Sequence, residues 1–282
     1  MESNRSYLLI DNGSTRAEAT LNLRRLATAL GERCGVDVAA VSLQHADRIP
    51  ASSLGGRAAD TLPLFLRSKR AEGIEEFVLV PLFFGSSRAL TRFIPDTVAE
   101  VVQETGAFRL ELGRSLYPLP GGEPRLAGLL CDQVRRTAAD NDVHPEQVVL
   151  VDHGSPIPEV TAVRQGLAEQ MRERLGPGIS LQEAVMERRA GSEYDFNGAL
   201  LEERLQAMAR EHPHQTVILA MLFFSPGRHA GAGGDIEEIC QRVMQAAPGF
   251  RVIPTALVGE HEGLVDILAD RLREAEERFE LN

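Results

Sequence analysis

Short apolar runs alternate with amphipathic stretches along the whole chain of 282 residues. The runs are typical of strands, and the stretches between them carry apolar residues at the three- and four-residue spacing of helices. The first half of the pattern predicts strands at 7–11, 36–43, 76–84 and 108–112 and helices at 15–30, 57–72, 94–104 and 123–138. The second half predicts strands at 148–152, 180–186, 216–224 and 251–256 and helices at 159–175, 198–211, 235–245 and 263–278.

The strict alternation of strand and helix predicts an α/β fold with parallel sheets and right-handed crossovers. Continuously apolar strands such as 217–224 are expected to be buried on both faces. The polar stretch 140–145 is the best boundary between two tandem lobes, which we place at 1–143 and 144–282. At the start of the first helix, Thr15 and Glu18 have the spacing of a capping box.

Two segments of the first half recur in the second half in nearly one register. Residues 8–14 (LLIDNGS) return at 149–155 (VLVDHGS), and residues 80–89 (VPLFFGSSRA) return at 220–229 (AMLFFSPGRH). The second copy has histidine at 153 and 229, where the first copy has Asn12 and Ala89. Duplication followed by loss in one copy predicts a single site, and that site belongs to the second lobe.

Composition and charge narrow the functional class. The net charge of −11 disfavours general nucleic-acid binding, which needs a basic face. No apolar run approaches the ~20 residues of a membrane span, and residues 1–5 lack the layout of a signal peptide. The three cysteines are scattered and form no CxxC motif, which favours free thiols in a reducing cytoplasm.

Three potential metal ligands follow strands of the second lobe. His153 follows the first strand, Glu187 follows the second, and His229 lies five residues past the third. The carboxyl ends of parallel strands share one sheet edge, so these side chains are expected to meet there. Histidine with carboxylate suits iron, cobalt, nickel or zinc as divalent ions. The alternatives are that each histidine is structural and that Glu187 lies in a solvated connection.

A glycine-rich loop at 225–235 surrounds His229. Glycine lets the backbone approach a ligand closely, so this loop is expected to border a large flat ligand or a phosphate. It has no P-loop lysine and no GxGxxG after a strand, which argues against a nucleotide cofactor. Arg228 beside His229, and Arg188 and Arg189 beside Glu187, offer cations for ligand carboxylates. The alternatives are a plain flexible loop and ordinary surface charge.

Taken together, these motifs resemble the sirohydrochlorin chelatase family, the class II chelatases of siroheme and cobalamin synthesis. The resemblance rests on Asp152-His153-Gly154-Ser155, on Glu187, and on Gly227-Arg228-His229 with Asp235-Ile236. It covers two tandem copies, at 7–138 and 148–273, of which the first lacks the histidines. Two features depart from the family pattern. The active copy is the second one, and five residues rather than about three separate His229 from Asp235.

The resemblance implies a two-lobed fold with a tetrapyrrole in the cleft between the lobes. It also implies ATP-independent insertion of Co²⁺ or Fe²⁺ into sirohydrochlorin, with Ni²⁺ left open, by a monomer or homodimer. His153, His229 and Glu187 are then the metal ligands and catalytic residues. Gly154, Ser155, Gly227 and Arg228 are then expected to border the tetrapyrrole, a polycarboxylate.

Two other functions remain open from the sequence. A metal or tetrapyrrole carrier would use the same ligands without turnover. A histidine phosphatase would also place His-Gly after its first strand, with the histidine as nucleophile. That chemistry needs an arginine before the histidine, whereas Asp152 stands there and its carboxylate would repel phosphate.

Overall fold

The computed structural model describes residues 4–281, which divide into two compact units. Among the described residues, one unit runs to Pro118 and resumes at Val265, and the other spans Leu119–Leu264. No helix within 4–281 combines the length and the apolar character needed to cross a bilayer.

The first unit is built on a five-stranded sheet in the order β3-β2-β1-β4-β5, in which every pairing is parallel. Its strands are β1 (Arg5–Asp11), β2 (Val38–Ser42), β3 (Asp60–Thr61), β4 (Glu76–Pro81) and β5 (Arg109–Leu112). Its helices within the first half are α1 (Ala17–Cys34), α2 (Leu62–Ala71) and α3 (Ile94–Thr105).

The second unit repeats this plan with a four-stranded parallel sheet in the order β7-β6-β8-β9. Its strands are β6 (Gln147–Asp152), β7 (Ser180–Val185), β8 (Thr216–Met221) and β9 (Arg251–Pro254). Its helices are α4 (Pro124–Asp140), α5 (Pro158–Leu175), α6 (Leu201–Glu211) and α7 (Asp235–Ala246). The predicted α/β class with two parallel-sheet lobes is confirmed, and residues 217–221 of β8 are buried as their apolar run predicts.

The compact units do not follow the predicted boundary between 143 and 144. Helix α4 packs on α5 and β8 of the second unit, where Gln133 donates a hydrogen bond to the Leu257 carbonyl at 2.7 Å. The last helix, α8 (Leu264–Leu281), belongs to the first unit, where Phe279 and Ala275 pack on Val78 of β4. An apolar helix face packs on an uncovered sheet face wherever that face lies, and the order of elements along the chain does not reveal this.

Several local predictions were wrong at element boundaries. The helix predicted at 57–72 begins only at Leu62, because residues 60–61 pair with β2 as a short edge strand. No capping box forms at α1, since the helix begins at Ala17 after Arg16, which makes no side-chain cap. The strands predicted at 76–84 and 216–224 each end three residues earlier, and this leaves their Phe-Phe pairs in the following loops.

Candidate metal centre

A tight turn places His153 at the carboxyl edge of the second sheet. The Gly154 amide donates to Asp152 Oδ1 at 3.0 Å, which closes the turn directly after β6. Gly154 has φ +86°, a conformation that favours glycine, and a Cβ there would collide with the carbonyl oxygen of Glu187. The glycine therefore lets the loops after β6 and β7 pack backbone to backbone.

Backbone hydrogen bonds join the same two loops. The Glu187 amide donates to the His153 carbonyl at 2.9 Å, and the Met186 amide donates to the Asp152 carbonyl at 2.9 Å. These bonds extend the β6–β7 pairing beyond Val185, where β7 ends. The two side chains at 153 and 187 are thus fixed beside each other by main-chain contacts.

The glycine-rich loop folds closely around His229. The His229 carbonyl accepts a hydrogen bond from the Ile236 amide at 3.1 Å, and the Arg228 carbonyl accepts one from the Asp235 amide at 3.2 Å. A Cβ at Gly234 would lie 2.6 Å from the Arg228 carbonyl oxygen, so this approach requires glycine. The loop therefore folds as a hydrogen-bonded turn that leads into α7.

The structure brings together the three residues that the sequence places at one sheet edge. One ligand atom from each of His153, Glu187 and His229 lies within 4.8 Å of the others. The two imidazole ring centroids are 4.7 Å apart, with an interplanar angle of 73°. The His229 side chain is only 10 % exposed, whereas His153 is exposed and the Glu187 side chain is 52 % exposed. Two of the three side chains thus face solvent, and the third is anchored in the protein.

Each imidazole has an oxygen beside its Nδ1 atom. His229 Nδ1 lies 2.7 Å from Asp235 Oδ2, and His153 Nδ1 lies 3.2 Å from the Gly154 carbonyl oxygen. The Asp235 oxygen lies off the N–H direction, so that contact is electrostatic rather than an aligned hydrogen bond. We assign the Nδ1–H tautomer to both rings from these neighbours, which leaves each Nε2 lone pair available as a ligand.

The charges around the three residues favour a cation. His229 Nε2 lies 3.5 Å from Glu187 Oε1, so this ring stands between two carboxylates. Arg228 Nε lies 3.3 Å from Asp235 Oδ2, and the Arg228 side chain is 76 % exposed. This single cation leaves one of the two carboxylates uncompensated when both rings are neutral. Imidazole nitrogen and carboxylate oxygen together suit first-row divalent metals.

A buried network behind the site was not predicted from the sequence. Arg164 of α5 is 2 % exposed, and its guanidinium donates to Asp152, to Glu183 and to the carbonyl of Asn197 over 2.8–3.2 Å. Burial raises the pKa of the Asp152 carboxyl, and Arg164 opposes that rise. A signal was present, because position 164 falls on the apolar face of the predicted helix 159–175.

Asn197 completes this network from the end of a short 3₁₀ helix, Ser192–Asn197, that precedes α6. Its side-chain amide donates to the Ser155 carbonyl at 2.8 Å, and its Oδ1 accepts from the Ser155 amide at 3.0 Å. The residue is 1 % exposed. It holds the segment that follows His153 in a single conformation, and no motif in the sequence marks it.

The residues predicted to border a tetrapyrrole have observed roles in the backbone. Ser155 Oγ accepts from the Ile157 amide at 3.1 Å, just before α5 begins. The Gly227 carbonyl accepts from the Gly231 amide at 3.0 Å within the loop that carries His229. Gly154 and Arg228 have the contacts described above. A role for these four residues in binding a tetrapyrrole stays a prediction.

Comparison with known proteins agrees with the sequence resemblance. The CbiX family model matches residues 147–275, which include all three clustered side chains. No curated protein matches this chain.

Solved structures share the fold over nearly the whole chain. SirB from Bacillus subtilis with Fe3+ is 17 % identical with a TM-score of 0.69, and the match covers 98 % of this chain and 97 % of that one. The sirohydrochlorin chelatase SirB from Bacillus subtilis subspecies spizizenii in complex with cobalt is 16 % identical with a TM-score of 0.66, covering 97 % and 96 %. CbiX, the terminal enzyme for siroheme biosynthesis in denitrifying bacteria, is 14 % identical with a TM-score of 0.58, covering 96 % and 99 %. The predicted resemblance and the two-lobed chelatase fold are confirmed.

Proposed function

We propose that this protein, whose residues 147–275 match the CbiX family, inserts a divalent metal ion into sirohydrochlorin without ATP. The observation that carries the proposal is the convergence of His153, Glu187 and His229 within 4.8 Å at one sheet edge. The metal ion is a substrate, Co²⁺ or Fe²⁺, since nitrogen and oxygen donors accept both.

The exposure of the ligands suits an ion that must be handed on. A structural metal site is closed, whereas a site that passes its ion to a second ligand needs an accessible face. Here His229 is anchored between Asp235 and Glu187, while His153 and the Glu187 carboxylate face solvent. In our proposal the ion is captured by all three side chains and is released first by the two exposed ones.

Metal insertion also requires two pyrrole N–H protons to leave the macrocycle. Imidazole titrates near neutral pH, and each group that gives up the ion regains a lone pair that can accept a proton. His153 and Glu187 are the accessible acceptors in the cluster. We propose that they take up these protons as the metal leaves, which couples metal transfer to deprotonation.

Metal insertion by purified protein tests the proposal. Sirohydrochlorin is incubated with Co²⁺ or with Fe²⁺ under anaerobic conditions, and the absorbance change of the macrocycle is followed over many equivalents of protein. We expect wild type to complete multiple turnovers. His153→Ala and His229→Ala should each abolish catalysed insertion while the melting temperature is retained.

His212→Ala is the matched control, because His212 is an exposed histidine of the same unit outside the cluster. Two results would contradict the proposal. Near-normal insertion by His153→Ala or His229→Ala would exclude the assigned site. Stoichiometric binding of metal or pigment without turnover would instead establish the carrier function.

A further inference from the structure

A cavity of about 300 Å³ opens in the first unit. Its lining combines two guanidinium groups, two side-chain amides and an apolar wall with one carboxylate. The lining residues are Asn12, Leu43, Gln44, Arg88, Ala89, Arg92, Phe93 and Asp96. The volume is at the lower end of the range of small-molecule sites, which is about 300–1,000 Å³.

This cavity lies at the position that corresponds to the metal cluster of the second lobe. Gly13 has φ +86°, its amide donates to Asp11 Oδ1 at 3.0 Å, and a Cβ there would collide with the Gln44 carbonyl oxygen. Gly154 has the same φ, the same aspartate contact and the same approach to Glu187. Asn12 and Gln44 are thus the structural counterparts of His153 and Glu187, and both line the cavity.

The chemistry at this position is inverted between the lobes. Two imidazoles and a carboxylate are replaced by two amides and the methyl group of Ala89. The amides are poor ligands for a first-row metal but are good hydrogen-bond donors. Arg88 and Arg92 outweigh the single carboxylate of Asp96 in the lining, so the first-lobe position carries net positive charge.

Arg88 has lost the acidic partner that its counterpart retains. In the second lobe, Arg228 pairs with Asp235, which directly precedes the buried Ile236. In the first lobe, Phe93 directly precedes the buried Ile94. The Arg88 side chain makes no hydrogen bond or ion pair with any residue in the described range 4–281, so its guanidinium is available to a ligand.

A π-helical turn at Ala89–Phe93 follows Arg88 and leads into α3. Turns of this kind are rare and frequently occur at functional sites. Arg92 lies within the turn, is 81 % exposed and contacts Asp96 at 3.5 Å, a pair that is weak in solvent. Two arginines four residues apart therefore line one cavity and can act on the same anion.

We propose that the first-lobe cavity binds the carboxylate groups of an organic anion. Arg88 and Arg92 would hold carboxylate oxygens in charge-assisted hydrogen bonds, and Asn12 and Gln44 would add amide donors. The wall at Leu43 and Phe93 fits the carbon frame of such a molecule. The carboxylates come either from the tetrapyrrole substrate or from a free polycarboxylate. The inference stands whether or not the second lobe inserts metal.

Equilibrium binding to the metal-free full-length protein tests this inference. The two probes are sirohydrochlorin, followed by absorbance, and citrate, followed by calorimetry. We expect Arg88→Gln/Arg92→Gln to weaken binding of at least one probe by about tenfold or more, the loss expected from charge-assisted contacts. The control Arg25→Gln/Arg33→Gln removes the same charge from α1 and should leave binding unchanged.

The outcomes distinguish the two sources of the carboxylates and include results that would overturn the inference. A loss confined to sirohydrochlorin identifies the tetrapyrrole as the ligand, and a loss that includes citrate identifies free polycarboxylates. Unchanged binding of both probes, an equal loss in the control, or no binding of either probe to wild type at millimolar concentration would overturn the inference. Co²⁺ affinity of the second lobe, measured on the same variants, should stay at the wild-type value and shows that the protein is folded.

Discussion

Arg164 Nη1 donates to Asp152 Oδ1 at 2.9 Å, and both side chains are almost completely withdrawn from solvent. The two repeats are offset by about 141 residues, so Asp11 and Leu23 of the first lobe correspond to Asp152 and Arg164. The first lobe thus keeps the aspartate and has leucine in place of the arginine. The Asp11 carboxyl instead accepts hydrogen bonds from the Ser42 hydroxyl at 2.7 Å and from the Gly13 amide at 3.0 Å. The lobe with the histidine–glutamate cluster also has the ion pair that neutralises the aspartate beside His153.

We expect Arg164→Met to destabilise the protein by about 3–5 kcal/mol, since it leaves the buried Asp152 carboxylate without its cation. Urea unfolding followed by circular dichroism measures this change. Arg172→Met is the matched control, because Arg172 also contacts Glu183 but is 43 % exposed and should cost about 1 kcal/mol or less. A loss below about 1 kcal/mol for Arg164→Met would show that the ion pair is not needed for folding.

Asp11→Asn is expected to stabilise the protein at neutral pH. Burial raises the pKa of the Asp11 carboxyl to about 6, so the folded state binds this proton more tightly than the unfolded state does. Stability contributed by the protonated form is complete below about pH 4 and falls as pH rises towards about 6. The asparagine variant does not lose this stability, because its side chain does not ionise. Its free energy of unfolding relative to wild type should therefore be about 1–3 kcal/mol higher at pH 8 than at pH 4.

Urea unfolding of both proteins between pH 4 and pH 8 measures this difference. Asp37→Asn, which removes an exposed carboxylate of the same unit, is the matched control for the change of charge. A difference between Asp11→Asn and wild type that is constant with pH would contradict a raised pKa at Asp11.

The order of elements could be predicted from the sequence because both periodicities are strong and local. Strand 148–152 and helix 159–175 agree with β6 and α5 to within one or two residues. The packing of α4 and α8 could not be predicted in this way, because a helix pattern states that one face is apolar and not which sheet it covers. The two-residue strand β3 carries too short a pattern to be recognised.

The candidate site was predictable for a different reason. His153, Glu187 and His229 stand out because the internal repeat supplies a second copy for comparison. Asn197 gave no such signal, since its hydrogen bonds to Ser155 depend on a loop that returns to the site from a distance of about forty residues. Asp235 was visible only as part of a motif, and its contact with His229 required the fold.

Asp235→Asn is expected to weaken Co²⁺ binding by about 10–100-fold, the usual effect of removing the carboxylate behind a metal-ligating histidine. The carboxylate lies 2.7 Å from His229 Nδ1 and favours the tautomer that frees Nε2. Titration of metal-free protein with Co²⁺, followed by the visible ligand-field spectrum, measures the affinity. Glu238→Gln, in the same first turn of α7, is the control and should bind as wild type does. Equal Co²⁺ affinity of Asp235→Asn and Glu238→Gln would show that Asp235 does not support metal binding.

Gly154→Ala should eliminate Co²⁺ binding and destabilise the second lobe. The added Cβ would meet the Glu187 carbonyl oxygen, and φ +86° is strained for alanine in any case. Relief of the clash must separate the loops that carry His153 and Glu187, so the ligands lose their common point. We expect a stability loss of about 2–4 kcal/mol, larger than backbone strain of about 1–2 kcal/mol alone.

The internal repeat supplies a matched control for this prediction. Gly13→Ala introduces the same clash, with the Gln44 carbonyl, in the lobe that has no metal ligands at this position. It should destabilise the first lobe by a similar amount while Co²⁺ affinity stays unchanged. Gly176→Ala has the same positive φ with no atom near the added Cβ, so it isolates the strain of the backbone. If Gly13→Ala and Gly154→Ala reduced Co²⁺ affinity equally, the effect would come from general unfolding and not from the placement of His153 and Glu187.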